Sequence, residues 1–393
     1  MPSLPVDVLT ERITVTVSIV GTGQSPYTRH PSAGTETSSV IARAVSNALN
    51  DSGLRLSDVD GFAVSSFTLG PDHAIDLAWR MGLRLSWLMQ DTNGGASAGG
   101  MLQHAVRAIE AGDANVIVLA AGDVMDQAAF SRLVASYNKA TEDHLAPLPM
   151  NGPNALFAML TTRQMEKLGL SREDYGRIAV AQREWAADNP GAVYRKPLSL
   201  DQYLDSPMVA TPLGRYDCVP PVTGADAVVL IADPGNGTPR AKVLSVRASY
   251  NTDQQSGDGL VTGLRECAPL GWEQSGIGPE DVGLACVYDD YPAMVVAQLS
   301  DLGVLSNHDD PATFIKARIA TRLLPVNTSG GQLSAGQAGA AGGMHGLAEA
   351  ALQLMGRAGT RQVAARHAVV SGYGMVLYRY GACATMSVLE AAQ

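Results

Sequence analysis

Two pairs of stretches recur in the same order along the chain. DVDGFAVSSF (58–67) is matched by DVGLACVYDD (281–290), and ANVIVLAAGD (114–123) by HAVVSGYGM (367–375). Each is a short apolar run bounded by turn residues, as expected of a strand buried on both faces. In each half a Gly-rich turn and a helix stand between the pair members. The first half has NGGASAGG and then MLQHAVRAIEAG; the second has NTSGGQLSAGQAGAAGG and then LAEAALQLMG. Strands buried on both faces need helices on both sides, so the repeat predicts a duplicated α/β fold with stacked layers. The halves divide at 1–240 and 241–393, and a chain of 393 residues can bury a sizeable core in each.

Within the first half, TVTVSIVGTGQSPY (14–27) reads as a strand ending in turn residues. Its GTGQSP is only part of a dinucleotide fingerprint, because GxGxxG is not completed. Residues 37–52 predict a helix with Val40, Ile41, Ala44, Val45, Ala48 and Leu49 on one face and Gly53 to end it. Residues 125–215 are rich in Pro, Asn and aromatic residues, as in PLPMNGPN, and read as an inserted, partly helical loop domain. GADAVVLIAD returns to strand character. AKVLSVRASY opens the second half, with helices predicted near 259–270 and from Pro292, and ATMSVLE closes the sheet. Glycine fills seven of the twenty positions 327–346. Between LLPV and an apolar helix, such a run reads either as tight helix packing or as a loop and helix start lining a pocket.

Net charge is −10 with a pI near 5.2 and no basic run, which argues against nucleic acid and against an anionic membrane surface. A few Arg and backbone amides suffice for a small anionic ligand. No stretch reaches 18 apolar residues, and MPSLPVDVLTERITV lacks the basic-then-apolar layout of a secretory leader. Cys218, Cys267, Cys286 and Cys383 lie far apart without CxxC spacing, so neither a zinc site nor a disulfide framework is expected, and the cytoplasm is the default location.

Six stretches in order, VSIVGTGQSPYTR, NGGASAGGMLQHAVRAIEAGDANVIVLAAGD, DCVPPVTGADAVVLIAD, VYDDYPAMV, NTSGGQLSAGQAGAAGG and VSGYGM, resemble the thiolase superfamily, in particular its lipid-transfer-protein and sterol-carrier-protein-type members. The resemblance covers nearly the whole chain. It implies a five-layered αβαβα fold with 125–215 as the loop domain, a dimer or dimer of dimers, and a coenzyme A thioester substrate with no cofactor held by the chain itself. Chains of this type are often paired with a small OB-fold protein carrying a zinc ribbon. The resemblance also exposes departures. Gly95 stands where thiolases carry the nucleophilic Cys, with Ser97 two residues on. Gln337 replaces the His of the GHP motif, Tyr288 a second His, and Ser371 the last Cys of the CxG motif. All four positions that carry Claisen chemistry differ.

Without a nucleophile there is no acyl-enzyme, but a pocket that stabilises a thioester enolate is still useful. Retro-aldol cleavage of a β-hydroxyacyl-CoA needs such a pocket and a proton acceptor. Thiolase-like aldolases that shorten steroid side chains resemble this chain and use tyrosine where thiolases use His, which fits Tyr288. An ordinary phenol, with a pKa of about 10, needs activation for that role. Asp289 and Asp290 stand next to it, although an Asp before a Pro-started helix is commonly a cap. Gln337 and backbone amides near Gly95 and Gly374 are candidates for an oxyanion hole. The aldolases carry a second Tyr near position 337, and Tyr373 is a candidate to compensate, against a plain packing role. His345, His104 and Cys218 are weaker candidates, each with a structural reading beside the functional one, and Ser97 as a nucleophile needs an adjacent base. Arg195 and Lys196 could meet coenzyme A phosphates or simply be solvated. Three functions stay open: an aldolase, an acyltransferase with another nucleophile, and a non-catalytic acyl-CoA-binding subunit.

Overall fold

The structure, a computed structural model, describes residues 15–70, 73–148, 152–235, 237–252, 257–377 and 380–393. The leader-free reading of the N-terminus falls on residues outside these, apart from Val15. Strands β1 (Val17–Gln24), β2 (Gly61–Ser65), β3 (Trp87–Asp91), β4 (Val116–Asp123) and β7 (Gly224–Ala232) belong to the first half, with a small hairpin of β5 (Met208–Ala210) and β6 (Leu213–Gly214) in the insertion. Strands β8 (Arg240–Tyr250), β9 (Leu284–Cys286), β10 (His367–Leu377) and β11 (Tyr380–Ala392) belong to the second.

Their order, β3-β2-β4-β7-β1-β8-β11-β10-β9, is the repeat made visible. From the β1–β8 junction outwards, β1, β7, β4 and β2 match β8, β11, β10 and β9. The β2–β4 and β9–β10 pairs are parallel, and the β4–β7 and β10–β11 pairs antiparallel. The place of β3 is taken in the second half by a bridge between Ala285 and Val326.

Helices α3 (Ser97–Ala111) and α12 (Ala341–Leu354) are the two that follow the Gly-rich turns, and they lie together between the halves. Met101, Leu102 and Ala105 of α3 and Met344, Leu347 and Ala351 of α12 share one core with Leu119 and Val228 on one side and Val370 and Leu389 on the other. Neighbouring strand residues point the other way, as a pleat requires. Phe62, Val118 and Val229 meet Ile41, Val45 and Leu49 of α1 (Thr37–Ser52), which Gly53 ends in a left-handed conformation. Val369 and Val388 meet Cys267 of α8 (Leu264–Ser275) and Leu299 of α9 (Pro292–Asp301). The layers run helix, sheet, helix, sheet, helix, as the five-layered expectation has it.

Two helices differ in extent from their sequence prediction. The helix placed near 259–270 runs over 264–275 and tolerates Pro269 inside it. The first central helix starts at Ser97, not after the glycines. Gly99 lowers local helix propensity, but a Cβ there would lie 2.2 Å from Thr385 Oγ1, so close packing on β11 requires the glycine.

The insertion is more helical than predicted, with α2 (His73–Arg80) preceding it outside β2 and α4 (Gln127–Ala135), α5 (Pro153–Leu168), α6 (Arg172–Ala187) and α7 (Leu200–Leu204) within it. It is not a separate body. Phe157, Tyr175 and Ile178 share the core of the second half, and Phe157 stacks on Tyr291 with ring centroids 4.3 Å apart. Two short helices, α10 (Pro311–Phe314) and α11 (Gly331–Ser334), complete the second half.

Candidate active site

A cavity of 570 Å³ lies between α4, α5 and the turn that joins β9 to α9. Phe130, Val134, Leu145, Leu156 and Val376 supply apolar wall, and Gln127, Ser131 and Thr141 on one side and Tyr137, Tyr288, Asp290, Asn154 and Gln337 around the turn supply polar groups. Among the described residues no Arg or Lys lines it.

Tyr288 is held through its backbone. Its N–H donates to Gln298 Oε1 at 3.3 Å, its carbonyl accepts from Gln298 Nε2, and the N–H of Val287 donates to Asn327 Oδ1 at 2.8 Å. Ser371 donates to the same Gln298 Oε1 at 2.8 Å, so it acts on the turn through Gln298 and lies outside the lining of the cavity. The Tyr288 ring stands over Gly95: a Cβ there would lie 2.2 Å from Cε2 and 2.3 Å from Cζ. Gly95 is therefore less a binding residue than the space that admits the ring.

Burial pushes the Tyr288 phenol well above its ordinary value. The neighbouring Asp290 carboxylate adds to that, while a hydrogen bond from Gln337 works against it. Burial also pushes Asp290 up to about 8, helped by the charge of Asp289, and Asp289 up to about 7. The two carboxyls serve different ends. Asp289 accepts from the N–H groups of Gln332, at 2.9 Å, and Leu333, at 3.3 Å, which makes it the cap of α11. Asp290 faces the cavity. Gln337 keeps its own amide in place by exchanging hydrogen bonds with Gly339, both at 3.1 Å.

Other candidates sit elsewhere. Tyr373 crosses to β11, where its hydroxyl accepts from the N–H of Gly381 at 2.5 Å and its ring covers that glycine. It is outside the lining of the cavity, so the structure does not place it to compensate for the Tyr absent at 337. Ser97 is 0% exposed, its hydroxyl has no hydrogen-bond partner among the described residues, and it lies outside the lining of the cavity. Gly374 lies against the start of α3, where a Cβ would meet Asn93 O at 2.1 Å. His345 is buried on α12, with Nε2 2.8 Å from Ser329 Oγ and Nδ1 3.6 Å from Asp226, away from the cavity. His104 is exposed on α3. Burial pushes the Cys218 thiol up to about 12, the wrong direction for a nucleophile. Arg195 and Lys196 are exposed, and Arg195 donates to Ala187 O at 3.1 Å.

Tyr137 was missed. It lies in the insertion, for which the sequence offers no period tying any residue to the cavity, yet it lines the same cavity as Tyr288. Its only sequence signal is that it is an aromatic residue in a polar loop.

A family model described as thiolase C-terminal domain-like matches residues 246–388. The chain is 31% identical to a steroid side-chain-cleaving aldolase of Thermomonospora curvata over 86% of this chain and 90% of that one. It is 30% identical to the 17-hydroxy-3-oxo-4-pregnene-20-carboxyl-CoA lyase of Mycobacterium tuberculosis over 90% of this chain and 95% of that one. The solved Ltp2-ChsH2(DUF35) aldolase superposes with a TM-score of 0.81 at 26% identity, covering 96% of this chain and 98% of its own.

Proposed function

The chain belongs to the thiolase superfamily, and we propose that it breaks a carbon–carbon bond in a β-hydroxyacyl coenzyme A thioester by retro-aldol chemistry. The observation that carries this reading is the Tyr288 ring over Gly95: a phenol occupies the space a nucleophilic side chain would need. The likeness to an aldolase and a lyase supports the same reaction class.

A phenol pushed above its ordinary value does not stand ready as phenolate, so Tyr288 works as a relay. It accepts the β-hydroxyl proton as its own proton passes to Asp290, whose raised value makes it a base near neutral pH. Gln337 donates to the phenol oxygen and steadies it through the transfer. The new carbonyl forms at Cβ, the Cα–Cβ pair passes into the thioester enolate, and Cα then takes the proton back. Coenzyme A enters only as part of the substrate.

The 570 Å³, with apolar wall on part of the lining and no cation among its described residues, suit a bulky, neutral acyl group such as a steroid side chain with its rings. With no cation in the lining, the phosphates of coenzyme A need help from outside the cavity. A small DUF35-type partner, of the kind named in the solved Ltp2-ChsH2(DUF35) aldolase, is the proposed source. A homodimer is proposed through the edge strand β3, beside which α2 exposes Trp79 (78%) and Ile75 (64%). Trp79→Lys is expected to halve the mass seen by sedimentation without lowering helix content; an unchanged mass would remove this surface from the dimer. No helix among the described residues is long and apolar enough to cross a membrane. All four cysteines are free, and a cytoplasmic location is part of the proposal.

Intact-protein mass and product analysis after incubation with β-hydroxyacyl-CoA thioesters, steroid ones included, tests the reaction. A shortened acyl-CoA, a ketone and unmodified protein are expected. An acyl increment that disappears in Ser97→Ala or Cys218→Ser would replace cleavage by acyl transfer.

A further inference from the structure

We propose that Tyr137 is a second catalytic phenol, donating its O–H to the thioester oxygen as the enolate forms. This rests on the retro-aldol reading of the cavity. The two phenols flank consecutive glycines: the Tyr288 ring covers Gly95, and the Tyr137 hydroxyl lies 2.8 Å from where a Cβ on Gly94 would stand. Both line the 570 Å³ cavity together with Asp290.

A break in the strand pairing, not a loose loop, fixes Tyr137. In the β10–β11 ladder Gly374 pairs with Cys383 and Val376 with Gly381 in one unbroken register, and between them Met375 is left unpaired in a left-handed backbone conformation (φ 53°). The N–H that Met375 withholds from the ladder donates to Tyr137 Oη at 3.3 Å. Next to it, Asn138 Nδ2 donates to Val376 O at 2.8 Å, so two successive residues of the insertion are fastened to this stretch of β10. The Tyr137 ring rests edge-on against Phe67 with centroids 5.9 Å apart. With its oxygen already accepting from Met375, the phenol has its proton left to give. Burial and the charge of Asp290 push its value up, which keeps it a donor at working pH.

Its place in the reaction follows from the balance of charge. The β-hydroxyl proton leaves through Tyr288 to Asp290, and the Cα–Cβ electron pair becomes the enolate. The enolate oxygen is where negative charge grows, and Tyr137 supplies a hydrogen bond there without transferring its proton. Cα is then protonated from the Tyr288–Asp290 side, releasing ketone and shortened acyl-CoA.

Tyr137→Phe keeps the ring on Phe67 and removes only the hydroxyl. In the full chain, kcat for β-hydroxyacyl-CoA cleavage is expected to fall about a hundredfold with KM nearly unchanged, as for one lost oxyanion donor. Infrared difference spectra of bound [1-13C]propionyl-CoA provide a readout that needs no turnover. The carbonyl band is expected to shift to lower frequency on the wild-type protein and to lose most of that shift in Tyr137→Phe. An unmoved band overturns the proposal, whether or not turnover falls, because lost turnover alone would then reflect packing. A band that depends on Tyr137 in a protein that cleaves no β-hydroxyacyl-CoA would overturn the aldolase reading and leave the donor standing. Normal cleavage by Tyr137→Phe with an unmoved band would do the reverse.

Discussion

Tyr288→Phe is expected to lower kcat for carbon–carbon cleavage by about 10²- to 10⁴-fold, the range for losing a positioned proton-transfer group, with little change in KM. The substitution is a clean one because the ring stays. It continues to fill the space over Gly95, and the backbone bonds to Gln298 that hold the turn do not involve the hydroxyl. The melting temperature should therefore hardly move, and a large loss of stability with the activity would point to packing instead. An acyl transferase working through another nucleophile would be indifferent to the change.

The same relay fixes the pH dependence. Asp290 must be ionised to receive the proton, and its value is pushed up to about 8, so kcat/KM should rise with pH through that region and the rising limb should vanish in Asp290→Asn. The groups that face Asp290 are Asp289, Tyr288, Tyr137, Tyr291 and Gln332, and the neighbouring Asp289 is itself faced by His345. Stability runs the opposite way. Both carboxyls bind their protons more tightly folded than unfolded, where an Asp titrates at about 3.9. Their contribution is fully present below that value and is lost as pH rises through about 7 for Asp289 and about 8 for Asp290. The cavity should thus gain activity over the same pH range in which the fold loses stability. A kcat/KM profile flat from pH 6 to 9 would remove Asp290 from the relay.

The doubled fold was legible because strands buried on both faces leave little freedom in composition: Phe62, Ala63 and Val64 answer to Ala285, Cys286 and Val287, and both sets are buried. Helix starts were less legible, because glycines such as Gly99 and Gly343 obey packing partners distant in sequence. A Cβ on Gly343 would meet the carbonyl oxygen of Gly95 at 2.1 Å, and no local pattern announces that. Both readings of the Gly-rich run have a place in the structure, since Gly343 packs helix on backbone while Gln337 lines the cavity. At the site, Tyr288 could be found because it directly follows a recognisable strand. Which of Asp289 and Asp290 faces the cavity could not, because the chain turns there and strand alternation no longer applies. Tyr373 was misplaced because its ring crosses to Gly381, whose missing side chain makes room for it.

Gly95→Ala is expected to be strongly damaging for the addition of a single methyl. Its Cβ would lie 2.2 Å from Cε2 of Tyr288 and 2.3 Å from the carbonyl oxygen of Tyr373. The ring has little room to retreat, since a Cβ on Gly342 would stand 3.0 Å from the same Cε2, and the carbonyl belongs to β10, which β11 holds in register. Overpacking a core costs about 1–3 kcal/mol, and a clash with both a ring and a fixed backbone belongs at the upper end. About 3 kcal/mol corresponds to roughly 6–12 °C in Tm for a domain of some 150–250 residues, readable by thermal melting. Cleavage should fall with it, because the relief open to the protein is to displace Tyr288. In the pair Gly95→Ala with Tyr288→Ala, the two costs should sum to less than their separate values, since the second change removes what the methyl meets. Full additivity, or a Gly95→Ala protein with native Tm and activity, would mean that the ring does not occupy that space. The coupling bears on chemistry as well as stability. Gly95→Cys places a thiol where the same ring stands, so a nucleophile at 95 and a phenol relay at 288 exclude one another, and a chain that keeps Tyr288 in this position has no room for an acyl-enzyme there.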